Sequence, residues 1–513
     1  MKVDTNKLMK YENIIIGSSF SAVALAKSLL NDNQKVLMLD GGIKLEKTIK
    51  NKVEKISNNF VPSKYPVEWT NNDKKSVRKK LFNSEFFIEK PSNIKFSETH
   101  KDFVEPKISY AVGGFSNIWG AQIDKIPNEI LADWIIGAKI NNYYEQTFEM
   151  LGVGSYDKAK KIRKNSLAEH LRKSYNNYFD PSIKLKSILI EPSILAIDNL
   201  TCINCGFCMN GCIKNSIYST NKTISDMSKN SNFTYKTNHI LQSFVEKKKK
   251  VTLSVLINNE RNSQLEAERI FLALGPINST RLVSSASKRK KPIYFEDSLD
   301  IVFLGLLMKN FKNEQTKKVS LSEMQIKLKN IFGLKSFIDV SVYSSSMLVE
   351  NAIENAIPKI LNSILSILKR FIQKRIVVLK VRFGGIDSPL IKMEGKDDKW
   401  FEVDLTITRK RSTKMNAFYA WLALIKNFYK IKIICLPIFK VNKSGSSVHF
   451  GSSMPITKTI SNDRINSDIL GRPNGFKRVH CIDASVLPQI TGGSLTTTIM
   501  ANAIRIGDIL KGK

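Results

Sequence analysis

Four cysteines fall within eleven residues: Cys202, Cys205, Cys208 and Cys212, spaced C-x2-C-x2-C-x3-C. Thiolates at that spacing suit an iron–sulfur cluster or a zinc ion, and the run is that of bacterial ferredoxins without their following proline. In ferredoxins the fourth cysteine of such a run serves a different cluster. One cluster here therefore needs another loop geometry, or help from Cys435 or Cys481. The alternative is a set of reduced thiols in a loop. A second candidate is His449, set among small residues in His449-Phe450-Gly451-Ser452-Ser453. An imidazole titrates near neutral pH and suits proton transfer. A lone histidine is usually structural, but downstream of this one Asp483-Ala484 and then Gly492-Gly493 lead into a helix. The third candidate is the stretch Gly17-Ser18-Ser19-Phe20-Ser21-Ala22. Gly17 permits a sharp turn, and the small residues Ser19 and Ala22 let the backbone approach a pyrophosphate at a helix N-terminus. Asp40 lies 23 positions after Gly17, where a ribose-binding acid belongs. Ser19 stands where this fingerprint has its second glycine.

The elements that must position these residues are readable from hydrophobic pattern. Ile14–Ile16 form a continuous apolar run, as a strand buried on both faces does. Ala22, Ala26 and Leu29 recur at helical spacing, and Val36–Leu39 is a second apolar strand ending at Asp40. Ile240–Val245, Val251–Ile257 and Leu265–Leu274 predict a three-stranded antiparallel meander, with Lys247–Lys250 at one tip. Residues 41–105 read as surface loops and short elements. From 286 to 435 strands and helices mix, with no nucleotide motif. There Ile357, Ile360, Leu361, Ile364, Leu365 and Leu368 share one helical face, and seven Lys/Arg with no acid lie between Lys359 and Arg382. That helix either packs on the core or lies on an anionic membrane surface. Near the end, Val479–Ile482 predicts a strand and Ser494–Leu510 a helix with Ile499, Ala503, Ile506 and Leu510 on its buried face.

The chain has 513 residues and a net charge of +34, from 80 Lys/Arg against 46 Asp/Glu. No apolar run is long enough to span a bilayer. The first thirteen residues are polar and lack the pattern of a secretory signal, so a cytoplasmic site is expected. The charge is either a compositional bias spread over a solvated surface or an attraction to an anionic partner such as a membrane face. No nucleic-acid-reading motif is present, so no nucleic-acid partner is expected.

Ile14–Asp40, Gly113–Gly120 (GGFSNIWG), Ala273–Leu282 (ALGPINSTRL) and His449–Leu510 together resemble the glucose–methanol–choline oxidoreductases. The most specific stretch is DASVLPQITGGSLTTTIMANAIRIGDIL. The resemblance implies an α/β protein: a Rossmann-like FAD-binding domain assembled from residues 1–285 and 436–513, with an α+β substrate or cap domain at 286–435. The cysteine-rich insertion near 200–220 falls in the first part. By this similarity Gly17, Ser19, Ala22 and Asp40 sit at ADP-binding positions, and Ile240 offers a main-chain contact to adenine. Gly113, Gly114, Ser116 and Asn117 run beside the flavin, Asp483 and Ala484 form the second FAD motif, and His449 is the catalytic base. The C-terminal helix would point its N-terminus at the flavin pyrimidine, where its dipole favours the negative charge of the reduced ring.

Two further departures from the family pattern join Ser19. Ile118 stands where some relatives attach FAD through a histidine, so binding by that route is non-covalent. Ser494 stands where the family usually has a second His or Asn; it can orient a hydroxyl but is no base near neutral pH. The implied chemistry is oxidation of an alcohol, on a sugar or other polyol, free or lipid-linked, by hydride transfer to flavin N5. An iron–sulfur cluster at the cysteine run would give electrons an exit and favour a dehydrogenase over an oxidase; the electron acceptor stays open. Two other readings stand beside this: an iron–sulfur flavoprotein passing electrons between partners, and a catalytically silent relative that binds a membrane or partner.

Overall fold

The computed structural model describes residues 10–59, 95–99, 108–156, 167, 188–203, 205, 206, 208, 211–308, 321–344, 375–409, 413–446, 448–458 and 464–511. The apolar helical face expected at Ile357–Leu368 lies outside them. Strand β1 (Lys10–Ile16) pairs in parallel with β2 (Val36–Leu39) on one side and β10 (Arg261–Leu272) on the other. β7 (Phe233–Lys236) continues beyond β2, and β19 (Val479–Cys481) beyond β10, both parallel. The order β7-β2-β1-β10-β19 is a Rossmann-like parallel sheet. Ile14, Ile15 and Ile16 are at most 1% exposed, which a strand covered on both faces requires.

The meander forms from β8 (His239–Glu246), β9 (Val251–Ile257) and β10. Lys247 N–H donates to Lys250 O at 2.7 Å across its tip. β10 starts at Arg261, four residues before the expected Leu265. Its first half is held by β9, and only its second half is shared with β1 and β19. One strand thus carries both ends of the chain. The first helix, Phe20–Asn31, packs against the C-terminal helix, which runs Thr496–Ile509, two residues inside its expected start. Ser28 Oγ donates to Ile504 O at 3.4 Å and Gln34 Nε2 to Leu510 O at 3.3 Å, which ties the two termini together.

A second sheet is antiparallel, in the order β18-β12-β15-β14-β13-β5. It comprises β5 (Ile188–Pro192), β12 (Asp300–Leu307), β13 (Met324–Leu328), β14 (Ile338–Ser344), β15 (Ile376–Phe383) and β18 (Ile433–Val441). One of its faces carries Ile326, Ile338, Val340, Val381 and Phe383, buried with Ala417, Ala420, Leu424 and Phe428 of the helix Thr413–Phe428. Each fully buried Val, Leu, Ile or Phe among them contributes about 1.5–3 kcal/mol. A third sheet joins β3 (Lys95–Thr99), β11 (Ile293–Glu296), β16 (Leu390–Gly395) and β17 (Glu402–Arg409). A short pair, β4 (Gln122–Ile123) and β6 (Ile194–Leu195), completes the strands. Among the described residues no helix is long and apolar enough to cross a membrane.

Candidate nucleotide and active site

The first glycine loop closes on the C-terminal end of β10. Gly17 has φ +102°, and a β-carbon there would lie 2.5 Å from Ala273 O, so only glycine fits. Ser19 N-caps the first helix without a side-chain hydrogen bond, and Ala22 is buried on its first turn. The residue that organises this loop is one the sequence did not single out. Ser18 Oγ donates to the carboxylate of Asp40 and accepts the amide of Gly113 at 2.8 Å. Tyr235 OH also donates to Asp40, at 2.9 Å. Burial pushes the Asp40 carboxyl up to about 6, against the pull of the Ser18 and Tyr235 hydroxyls and the Gly41 and Gly42 amides. His239 opens β8 beside this acid, its N–H donating to Asp40 O at 2.9 Å, and Ile240 follows it in the strand.

Gly113 precedes a 3-10 turn, Gly114–Asn117, that docks on the helix Thr220–Met227. Ser116 Oγ accepts from Thr220 N at 3.1 Å, and Thr220 Oγ1 donates to Ser18 O at 2.9 Å. Asn117 donates to Val112 O and Gly114 O and accepts from Asn221 at 3.1 Å. The four residues Gly113, Gly114, Ser116 and Asn117 are thus brought to the Gly17 loop, with Gly114 and Ser19 facing each other.

The C-terminal motif meets the same end of β10 from the other side. Ile482 N–H donates to Leu272 O at 3.0 Å. Asp483 is buried and accepts from Ser279 Oγ, from Ser485 N at 2.9 Å and from the Gly275 amide; burial raises its carboxyl against these bonds. The His449 segment lies along Ala484–Val486: Ser452 N donates to Ala484 O at 3.0 Å and Met454 N to Ser485 O at 2.8 Å. A β-carbon at Gly451 would lie 2.2 Å from Ala484 O, so the approach needs glycine. His449 is half-buried, and Ser494 is buried just after Gly492-Gly493. By contrast His480 is a core residue: it stacks on Phe271 at 4.8 Å, and burial holds it down at about 4, as a neutral ring.

The Gly492-Gly493 turn rests on a charged cluster that the sequence did not reveal. A β-carbon at Gly492 would lie 2.9 Å from Asp339 Oδ2, and one at Gly493 2.6 Å from Asp124 Oδ2. These acids face the polar side of the second sheet. Lys327 Nζ donates to Asp124 at 2.8 Å, Gln325 Nε2 to Asp124 at 2.7 Å, and Arg382 Nη2 to Ser341 Oγ at 2.8 Å. Lys327 stands opposite Asp339 in the β13–β14 register, and Asp339 opposite Arg382 in β14–β15. Burial raises Asp124 and Asp339 against the attraction of Lys327. Burial alone would lower Lys327, but Asp124, Asp339 and Glu191 carry it above its ordinary value. Asp339 Oδ1, Gln122 Nε2 and Arg382 Nε are buried polar atoms without a partner among the described residues.

Cys202, Cys205, Cys208 and Cys212 line one small cavity with Ile197, Ile203, Lys214, Ser216 and Ile217. Among the described residues, however, no group of three or more His, Cys, Asp or Glu side chains is disposed to hold a metal ion. Nor do the remaining cysteines supply ligands. Cys435 is buried in the core of the second sheet and Cys481 in that of the first, each surrounded by apolar side chains. The metal-ligand expectation for the run is therefore not supported.

No protein-family model matches the chain, and no curated protein does. Among solved structures, the pyridoxine 4-oxidase from Mesorbium loti superposes with a TM-score of 0.56 at 11% identity, over 98% of this chain and 99% of that one. At that identity the likeness is one of fold.

Proposed function

We propose that the chain is an FAD-dependent oxidoreductase of the glucose–methanol–choline type that oxidises an alcohol. The observation that carries this reading is the convergence of both chain ends on β10: the Gly17 loop abuts Ala273, and Asp483 accepts from Gly275. The full-length fold likeness to an oxidase of pyridoxine supports it. The residues present fit a dinucleotide. The first helix has amides that the Ser19 side chain leaves uncapped, next to a glycine whose side-chain position is filled by backbone. Gly17, Ser19, Ala22 and the Gly113–Asn117 turn would hold FAD non-covalently, with Asp40, Ile240, Asp483 and Ala484 around it. Bound there, FAD supplies the hydride acceptor.

The chain's own residues then have two tasks. His449 takes the hydroxyl proton as a neutral imidazole, and Ser494 orients that hydroxyl. The unpartnered Asp339 Oδ1, Gln122 Nε2 and Arg382 Nε offer one acceptor and two donors. A hydroxyl both donates and accepts, and the two acids and two cations of the cluster balance in charge. A neutral, hydroxyl-rich substrate such as a sugar or polyol matches this better than an anion does. The test is to purify the protein, record its visible spectrum, and screen alcohols and sugars for anaerobic bleaching. With the substrate found, His449→Ala should slow flavin reduction by about 10²–10⁴-fold. Unchanged reduction kinetics would remove His449 from the chemistry.

A further inference from the structure

The helix Thr413–Phe428 has two apolar stripes, and only one is used by the core. Ala417, Ala420, Leu424 and Phe428 are buried against the second sheet. Met415, Phe418, Leu422, Ile425 and Tyr429 recur at spacings of three and four on the other side, and are 46%, 46%, 45%, 39% and 63% exposed. At 3.6 residues per turn the first four fall on one line along the helix, and Tyr429 follows in the 3-10 turn Tyr429–Ile431 after it. Tyr419 and Trp421 flank that line, and Phe332, 83% exposed, rests its ring on Tyr419. Soluble surfaces scatter such side chains singly; a contiguous stripe marks a contact surface.

Charge narrows what the stripe contacts. From Leu405 to Asn462 the chain has no Asp or Glu and ten Lys/Arg, where its average composition would place about five acids. Lys414 and Lys426 are exposed on opposite edges of the stripe, Lys430 follows on the Lys426 side, and Lys440 is exposed on the adjacent β18. A second copy of this face would bring like charges together and is disfavoured. Nucleic acid would leave the apolar line in water. An apolar stripe edged by lysines, with tyrosine and tryptophan beside it, has the chemistry of a helix lying in the headgroup layer of an anionic bilayer. We infer that the outer face of the helix Thr413–Phe428 docks the protein on an anionic lipid surface. Because the helix covers one face of the second sheet and the Lys327–Asp339–Arg382 cluster lies on the other, docking leaves the candidate active site uncovered.

Co-sedimentation of the full chain with phosphatidylcholine vesicles, with and without phosphatidylglycerol, tests this independently of any enzyme activity. Binding should require the anionic lipid and weaken with salt. The pair Phe418→Ser and Leu422→Ser should weaken it at least tenfold. Lys426→Gln with Lys430→Gln should weaken it by about fivefold per lysine. Phe418, Leu422 and Lys426 are exposed and Lys430 is half-buried, and an unchanged melting temperature checks that the variants fold. Three results would overturn the inference. One is no binding at low salt. Another is binding that the lysine changes abolish but the Phe418/Leu422 changes leave intact, which is adsorption by net charge alone. The last is concentration-dependent self-association that Phe418→Ser with Leu422→Ser abolishes, which makes the stripe a contact between copies.

Discussion

Two pairs of buried aspartates flank the candidate site and are satisfied by different chemistry. Asp40 and Asp483, at the end of the parallel sheet, accept from Ser18, Tyr235, Ser279 and backbone amides, and neither has a cationic partner among the described residues. Asp124 and Asp339, on the polar face of the second sheet, look at Lys327 and Arg382. Neutral donors can be removed one at a time at modest cost. A buried cation cannot, because each acid it leaves behind is an uncompensated charge. The nucleotide end is therefore graded in its tolerance, and the second-sheet face is brittle.

The largest expected effect follows from that contrast. Lys327→Met should cost about 3–5 kcal/mol, since it strands Asp124 in a dry environment and leaves Asp339 with Arg382 alone. Adding Asp124→Leu to Lys327→Met should recover a good part of the loss, because the pair leaves together. Urea midpoints at unchanged slope measure both. A loss below about 1 kcal/mol in the single variant would show the cluster to be solvated, and the contrast would fail.

The next effect concerns pH. The Asp40 carboxyl sits at about 6 in the fold against 3.8 as its ordinary value, chiefly through burial. Its folded value is raised, so its stabilising contribution is fully present below about pH 4 and is lost as pH rises through 6. Full ionisation costs about 3 kcal/mol. Asp40→Asn keeps an oxygen for Ser18 and Tyr235 and removes the titration. It should flatten the decline in stability between pH 4 and 7 and be the more stable form at pH 8. A profile that runs parallel to the wild type would mean that Asp40 ionises in the fold as it does in water.

The nucleotide end was legible because its signals are local. Gly17, the apolar run Ile14–Ile16, Asp40 and the meander each lie within a few dozen residues, and a strand–turn–helix needs glycine where backbone meets backbone. Ser18 escaped notice because a hydroxyl beside a glycine is common, and its bridge reaches 95 residues to Gly113. The charged face was not legible for a stronger reason. Ile338, Val340 and Val342 alternate with Asp339 and Ser341, which reads as one buried and one wet face. Only the register with Lys327 and Arg382, and the Gly492-Gly493 turn laid across it, turns the wet face inward. The turn and Asp124 reach this face from segments more than 100 residues away, which no local pattern records. The cysteine run shows the converse: local spacing was distinctive, yet among the described residues no ligand group forms.

The smallest expected effect is the most discriminating, because it probes the graded end by itself. Ser279→Ala removes one of the donors to Asp483 and leaves the Ser485 and Gly275 amides in place. A neutral hydrogen bond lost from a partly satisfied acceptor costs about 1 kcal/mol. The hydroxyl also favours the ionised acid, so its loss should raise the Asp483 carboxyl further and let the acid shed some of the penalty by taking up a proton. The variant should therefore lose less stability at pH 5 than at pH 8, a difference that Lys327→Met should show more strongly, since losing a full charge raises Asp124 and Asp339 more than losing a hydroxyl raises Asp483. If Ser279→Ala costs as much as Lys327→Met, Asp483 depends on that single hydroxyl as Asp124 depends on its lysine, and the two ends of the site are built alike.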